Sequence, residues 1–250
     1  MKLKKALILI IMLAVFAWTL TAIAFAAEEA VTSLAYPDAS KNYDSLGDGD
    51  TIQNASNKYG KAVAVKQDNG NVYMLLTYAD ITTSGTQAEN VDIGAGKHYL
   101  PTYPYAMFSF DIMSPQGTHS SETYFAVRLY NGTSSIGYFT DAYVNFSSLG
   151  LSSTPYEWQH LSVVVEQDAE TLNFKLHVFV NGELAKVLTS TMHTSTISAE
   201  GYDKSKLCIS YSKFNTPKSS SEIGKDTAID NFNITYFKTG ATIEQMANYN

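Results

Sequence analysis

The chain has 250 residues, a formal net charge of −7 at pH 7, 45% hydrophobic residues and a single cysteine. The acidic balance argues against nucleic acid and against an anionic membrane surface as partners. Arg128 is the only arginine, so bidentate clamps on carboxylate or phosphate are almost excluded, and the lone Cys208 excludes an internal disulfide.

Residues 1–26 have the pattern of a secretory signal peptide. A basic start, MKLKK, precedes the apolar run ALILIIMLAVFAWTLTAIA and the small-residue sequence AFA before Ala27. The apolar run is also close to membrane-spanning length, so an uncleaved N-terminal anchor fits as well. Together with the absence of disulfides, this start predicts a secreted, extracellular protein exported by a bacterium.

The rest of the chain is a series of short alternating or apolar runs separated by turn-forming residues. A loop-rich segment at 27–56 with the first strand comes before a predicted domain at 57–240. The predicted strands are 61–66, 71–78, 105–112, 123–130, 135–139, 142–146, 160–167, 172–180, 183–188, 207–212 and 227–237. No window holds a 3.6-residue apolar period, so no helix is predicted, and 241–250 is expected to be a fraying tail. This pattern predicts an all-β fold with two packed sheets.

The segment 156–184, YEWQHLSVVVEQDAETLNFKLHVFVNGEL, is the clearest part of this pattern. Leu172, Phe174, Leu176, Val178 and Val180 fall on one face of a strand, as expected of a sheet with that face in a core. The Asn-Gly pair that follows suits a type I′ turn, because both central residues need positive φ. Residues 160–188 are therefore predicted to form a three-stranded meander. Trp158 before it is predicted to be a wedge packed at the sandwich edge rather than a sugar platform.

Four ordered segments resemble the concanavalin A-like lectin/glucanase superfamily, in its laminin-G-like and bacterial carbohydrate-binding branches. They are NKYGKAVAVKQDNGNVYMLL (57–76), YAMFSFDIM (105–113), the segment 156–184 and DTAIDNFNITYF (226–237). The resemblance implies a jelly-roll sandwich of two curved antiparallel sheets. It does not imply one activity, because the fold hosts lectins, glycosidases, lyases and inert spacers.

The motifs of catalysis on this fold are missing or incomplete. Glycosidases of the superfamily carry Glu-x-Asp-x-Glu on one strand, whereas the carboxylates here are isolated in sequence. The sequence YFKTG (236–240) resembles part of an alginate-lyase motif, but the Arg-rich and Gln-Ile-His companions are absent. Gln159 and His160 are adjacent and point to opposite faces of a strand. Catalysis stays uncertain, and a non-catalytic role is favoured.

Two binding sites are predicted. In the superfamily, an early loop and the last strand often share a structural Ca²⁺, and the loop DSLGDGD has the carboxylates for it. The predicted calcium ligands are Asp44, Asp48, Asp50 and Asp230, with a solvated turn as the equal alternative. Tyrosine rings and amides in Pro-stiffened loops suit sugar faces and hydroxyls, although Tyr is also a common strand residue. The predicted sugar-binding residues are Tyr99, Tyr103, Tyr105, Asn131, Tyr138 and Tyr143.

The sequence thus predicts a secreted, non-catalytic binding module for carbohydrate or a glycoconjugate on a cell surface or in extracellular matrix. A polysaccharide-degrading enzyme on the same fold, either glycosidase or lyase, is the first alternative. A structural or adhesion domain that binds protein is the second.

Overall fold

The computed structural model describes residues 31–53, 60–78, 89–97, 103–121, 123–131, 134–138, 144–167, 174–190, 204–211 and 225–249. The predicted signal segment at 1–26 lies outside these ranges, so its cleavage or retention stays a prediction. Among the helices of the described ranges, none has the length and hydropathy needed to cross a membrane.

The described part of the chain forms a sandwich of two antiparallel sheets, as predicted. Its strands are β1 (Ala35–Lys41), β2 (Thr51–Gln53), β3 (Gly60–Lys66), β4 (Val72–Tyr78), β5 (Glu89–Lys97), β6 (Tyr105–Met113), β7 (Thr123–Asn131), β8 (Ser134–Tyr138), β9 (Val144–Asn145), β10 (Gln159–Gln167), β11 (Phe174–Val180), β12 (Glu183–Ser190), β13 (Lys204–Tyr211) and β14 (Thr227–Phe237). A nine-stranded sheet has the order β12-β11-β10-β6-β14-β4-β3-β2, with β1 also paired to β14. A five-stranded sheet has the order β5-β13-β7-β8, with β9 paired to β7.

All the strands predicted with bounds are present. The first strand, predicted within 27–56 without bounds, corresponds to two strands there, β1 and β2, and β5 was not predicted. The sequence of β5, ENVDIGAGK, alternates Val91, Ile93 and Ala95 with polar residues and two glycines, and the strand pairs along its length with β13. The sequence of β1 contains Pro37 and Asp38 and is held by pairing with β14. The sequence prediction missed the alternation of β5, whereas the residues of β1 give no strand signal and this strand depends on long-range pairing.

The main core lies between the two sheets. Alternate residues of the central strands enter it, including Phe108 and Phe110 of β6 and Phe232 of β14, all essentially without exposed surface. Phe110 meets Phe125 of the smaller sheet edge to face, with ring centroids 6.4 Å apart. Leu176 and Val178 of β11 are also in this core and Val180 packs against it, which confirms the predicted apolar stripe at these three positions. Leu172 lies outside the described residues, and nothing is described of the Phe174 side chain.

The meander β10-β11-β12 is confirmed, together with the turn predicted for its second connection. Asn181 and Gly182 have φ values of 49° and 81°, the positive pair that a type I′ turn needs. The Asn181 side chain also accepts a hydrogen bond from the backbone N–H of His160 at 2.8 Å, while its own N–H donates to the His160 carbonyl. The turn therefore closes onto the beginning of β10.

The prediction of a helix-free chain with a fraying tail is wrong. Residues Ile243–Ala247 form a C-terminal helix. Thr242 and Gln245 cap its beginning with the reciprocal hydrogen bonds of a capping box. Met246 and Ala247 are buried against the outer face of the larger sheet, where they cover Phe179 and other apolar side chains. A single helical turn presents too few apolar positions to give a periodic signal, and its burial comes from the sheet beneath it.

Strand β14 is divided by an irregularity that shapes the outer face of the larger sheet. Its whole length pairs with β6, but its other edge pairs with β4 at 227–229 and with β1 at 232–237. Between these two partners the register shifts, and Asn231 has a φ of 51°. This is the geometry of a β-bulge, which re-aims the side chains beside it.

Candidate functional site: a polar belt on the outer face of the larger sheet

Polar side chains form a belt across the outer face of the three central strands β6, β10 and β14. Strand alternation puts them on the face opposite the main core. An apolar cluster with Met113, Ala228 and Trp158 lies at one end of this face, and the cluster beneath the C-terminal helix lies at the other. The polar belt between them consists of Ser109, Asp111, His160, Ser162, Asp230, Asn233 and Thr235.

A histidine–carboxylate pair occupies the belt where β6 and β10 are in register. His160 lies opposite Asp111, and its Nδ1 is 2.8 Å from an Asp111 carboxylate oxygen. The second carboxylate oxygen accepts a hydrogen bond from the Asn231 side-chain amide at 2.8 Å. Burial acts to raise the pKa of Asp111, but the hydrogen bonds from His160 and Asn231 outweigh it and leave the pKa below its usual value.

The pair determines which ring nitrogen of His160 stays without a partner. An ionised carboxylate only accepts hydrogen bonds, so Nδ1 carries a proton, and Nε2 is an acceptor in a neutral ring and a donor in a protonated one. Nε2 is buried and, within the described ranges, is the one such side-chain nitrogen or oxygen without a hydrogen-bond partner. Buried polar atoms of this kind are uncommon and call for an explanation.

Asp230 is the most deeply buried acid of the belt, with 2% of its surface exposed. One carboxylate oxygen accepts from the Asn71 side chain at 2.9 Å, and the other accepts from the backbone N–H of Asn231 at 2.8 Å. Burial, joined by repulsion from Asp44 and Asp111, raises the pKa of Asp230 despite these hydrogen bonds. The bulge at Asn231 thus connects the two acids, since its backbone binds one and its side chain binds the other.

A pocket of ≈ 450 Å³ opens beside the belt. Its described lining residues are Pro37, Asp38, Ser40, Met107, Ser109, His160, Asn233, Ile234, Thr235 and Tyr249. Strand β1 supplies one wall, and Tyr249, just after the C-terminal helix, supplies another. The Tyr249 ring is fixed by an edge-to-face contact with Phe237, at 5.4 Å between centroids. The pocket therefore combines hydroxyl, amide, imidazole and carboxylate groups with one aromatic ring.

A second histidine–carboxylate pair lies outside the pocket. His177 Nε2 is 2.9 Å from a Glu166 carboxylate oxygen, and the Lys175 ammonium is 3.8 Å from the same oxygen. This places His177 on the outer face, as strand alternation predicts. None of these three residues lines the pocket, so the pair is a surface contact between β10 and β11.

The predicted sugar-binding tyrosines do not come together where the structure describes them. Tyr103 packs against the main core and lies 5.5 Å from the Tyr36 ring, whereas Tyr105 packs against the cluster under the C-terminal helix. Tyr99 and Tyr143 lie outside the described residues. Asn131 and Tyr138 end strands β7 and β8 of the smaller sheet, and nothing is described of their side chains. For these four residues the site stays a prediction.

The carboxylates of the predicted calcium loop hold backbone N–H groups. Asp44 accepts from Val72 and Asp48 from Lys66, each at 3.0 Å, and Asp50 accepts from Gly47 at 2.7 Å. In the described ranges no three His, Cys, Asp or Glu side chains are grouped so that they could hold a metal ion. Calcium at Asp44, Asp48, Asp50 and Asp230 would need backbone or water ligands as well, and it stays a prediction.

Sequence reasoning missed the belt. It treated His160 as scaffold, Asp111 as an isolated acid, and Asp230 as an isolated acid or a calcium ligand. Asp111 and His160 are 49 positions apart and meet only through the register of β6 with β10. Alternation gives the face of each residue but not its neighbour on the next strand. By contrast, Tyr236 of the YFKTG sequence is wholly buried in the main core, which agrees with its interpretation as a strand end.

Comparisons with known proteins were made for the whole chain. No family model matches it, and a search of curated proteins finds no match. Similar solved structures include an endo-β-1,4-glucuronan lyase from the fungus Trichoderma reesei, with 10% identity over 80% of this chain and 95% of that one and a TM-score of 0.47. An alginate lyase mutant in complex with an alginate tetrasaccharide has 13% identity, covers 83% and 98%, and has a TM-score of 0.43. The CBM2 module of the evolved Dit of Lactobacillus casei BL23 phage J-1 has 8% identity, covers 84% and 99%, and has a TM-score of 0.42. Likenesses at this level assign no activity to the chain.

Proposed function

We propose that the protein is a carbohydrate-binding module and that the pocket beside the polar belt is its binding site. The volume of the pocket falls within the range of about 300–1,000 Å³ that is usual for small-molecule sites. Its lining offers hydroxyl groups from Ser40, Ser109 and Thr235, and an amide from Asn233, around the Tyr249 ring. Such groups suit a ligand that carries many hydroxyls on an apolar ring.

The observation that carries this proposal is the buried Nε2 atom of His160. A buried polar atom without a partner costs about 1–3 kcal/mol, and a ligand hydroxyl that donates to it or accepts from it removes that cost. Asp111 occupies Nδ1, so Nε2 is the ring nitrogen left for a ligand, and a small shift of the ring towards the pocket brings it within reach. His160 thereby becomes the residue through which the pocket recognises a hydroxyl group.

The test is a glycan and polysaccharide array probed with the full chain, followed by calorimetry on each hit with wild type and with His160→Phe. Phenylalanine keeps a planar ring but offers no acceptor, so affinity should fall about tenfold, the worth of one hydrogen bond left unmade. His177→Phe is the matched control, because His177 lies outside the pocket, and it should bind as wild type does. Absence of binding to every glycan, or equal affinity of His160→Phe and wild type, contradicts the proposal.

A polysaccharide-degrading enzyme is the second candidate, and the His160–Asp111 pair favours it. An imidazole oriented by a carboxylate is a common general base. Product analysis of each array hit separates the two functions, since a binding module leaves the glycan intact and an enzyme releases shorter chains. Membership of the concanavalin A-like superfamily and export through the segment 1–26 remain proposals, and N-terminal sequencing of protein recovered from culture medium tests the export.

A further inference from the structure

An aromatic group lies beyond the belt, on the same face of the larger sheet. Trp158 comes just before β10 and two residues before His160, so continued strand alternation puts both side chains on the same face, about 7 Å apart. Trp158 meets Tyr73 edge to face, with ring centroids 5.5 Å apart. Tyr156 precedes Trp158 by two residues, in the turn that leads into β10. The aromatic patch consists of Tyr156, which is exposed, and Trp158, which is partly buried, whereas Tyr73 is only 6% exposed and packs against the Trp158 ring.

Tyr156 is both exposed and strained. Its side chain is 68% exposed, and its φ is 62°, a conformation that a bulky residue rarely adopts. Holding such a residue there costs of order 1–3 kcal/mol, and strain of this kind persists where the surrounding structure imposes it, often at functional sites. Glycine would satisfy the backbone at no such cost. The exposed phenol ring gives a reason for tyrosine at this position.

The turn that carries Tyr156 is held by two sets of hydrogen bonds. Its backbone N–H donates to the Ser114 carbonyl at 3.1 Å, which ties it to the turn after β6. Within the loop, the Ser152 hydroxyl donates to the Glu157 carboxylate, and the Ser152 N–H donates to the Gln159 side chain at 2.5 Å. These hydrogen bonds fix the backbone that carries the Tyr156 ring, which lowers the conformational entropy lost when a ligand stacks on the ring.

The charges around this surface indicate an uncharged ligand. Asp111 and Asp230 lie in the belt, and Glu157 stands between Tyr156 and Trp158 in the sequence. Among the described residues that line the pocket, Asp38 is acidic and none is lysine or arginine. A uronate in the pocket would meet Asp38 and, among the described lining residues, no lysine or arginine to neutralise its charge.

We propose that the aromatic patch is a second subsite of the carbohydrate site, where a further sugar ring of an uncharged oligosaccharide stacks while another unit occupies the pocket. The inference rests on the proposed function, and it deepens that function by naming the ligand as an extended neutral glycan. The pocket recognises hydroxyls through His160, and the patch supplies the apolar surface for the neighbouring unit.

The experiment measures affinity by calorimetry with the full chain and a series of neutral gluco-, manno- and xylo-oligosaccharides of increasing length, beside uronate oligosaccharides of equal length. Wild type should bind the longer neutral members more tightly than the monosaccharide. Trp158→Ala should lower the affinity for the longer members about tenfold, the loss of one stacked ring, and leave monosaccharide affinity unchanged.

Tyr156→Gly keeps the inference falsifiable if Trp158→Ala does not fold. Glycine relieves the strain at positive φ, so the melting temperature should not fall, while affinity for the longer oligosaccharides should fall several-fold. Leu184→Ala removes another exposed apolar side chain, on the edge strand β12, and is the control that should change neither.

Three results overturn the inference in different ways. If variants of Tyr156 and Trp158 bind every oligosaccharide as wild type does, the aromatic patch has only a structural role, and the proposal for the pocket is unaffected. Tighter binding of a uronate than of the neutral chain of equal length removes the assignment of an uncharged ligand. Wild type that binds no saccharide of any length overturns the proposed function itself, and the second subsite with it.

Discussion

Acidification should destabilise the protein through His119. Nδ1 of this histidine is 3.0 Å from the Thr227 hydroxyl, and its ring lies 5.9 Å from Phe146. Burial lowers the pKa of His119 from 6.5 to about 4. The unfolded chain therefore binds a proton near its ordinary pKa, whereas the folded chain resists it.

The sign and size of the effect follow from these two values. Above about pH 6.5 the histidine is neutral in both states, and its contribution to stability is complete. Below that pH the unfolded state takes up the proton first, so stability falls until the folded pKa, about 4, is reached. Because each tenfold change in proton affinity is worth about 1.4 kcal/mol, the total loss is about 3 kcal/mol.

Urea unfolding of wild type and His119→Gln at a series of pH values from about 7 to about 4 measures this loss. Glutamine can still bond to Thr227 but does not titrate, and the carboxylates of the protein contribute equally to both curves. The free energy of unfolding of wild type should fall about 3 kcal/mol further than that of the variant across this range. Parallel curves for the two proteins, or a His119 pKa near 6.5 in an NMR titration of the folded chain, would refute the reasoning.

Three further predictions concern packing, backbone and metal. Met246→Ala should lower the free energy of unfolding, measured with urea, by about 2–5 kcal/mol, since the Met246 side chain is wholly buried between the C-terminal helix and the sheet. Glu244 is exposed on the same helix, so Glu244→Ala is the control. Gly117→Ala should lower the free energy of unfolding by more than an ordinary glycine substitution at positive φ, because the new Cβ would lie 2.1 Å from the Ser153 carbonyl oxygen. Gly150→Ala is its control, since Gly150 also has positive φ but nothing within 4 Å, and it should lower the free energy of unfolding less. If calcium binds at the Asp44–Asp50 loop, chelator should lower the melting temperature, and an unchanged midpoint would remove that prediction.

The sequence is informative where a residue's own neighbours along the chain decide its structure. The stripe through Leu176 and Val178 and the Asn181–Gly182 turn follow from local alternation and from positive φ, and both were predictable. The bounds of strand β1 and the C-terminal helix were not, because these elements depend on pairing with β14 and on packing against the outer face of the larger sheet. The belt was the least predictable part: Asn71 and Asp230 are 159 positions apart, and only the order and register of the strands brings them together.

The outer face of the larger sheet gives a physical reason to look for function there. On this face, Ala228 is the neighbour of Asp230 two residues earlier on β14, and Met113 is the neighbour of Asp111 two residues later on β6. Both are buried in an apolar cluster. Apolar side chains are thus compatible with this face, and a sheet built for stability alone could extend them across it. The belt instead buries Asp230 and partly buries Asp111, at a cost in desolvation that hydrogen bonds from Asn71, Asn231 and His160 only offset. Asn231 adds a positive φ and a bulge in the strand to make two of those hydrogen bonds. This network costs desolvation free energy and ends in the His160 imidazole at the wall of a pocket. Recognition of a polar ligand explains it better than the stability of the fold does.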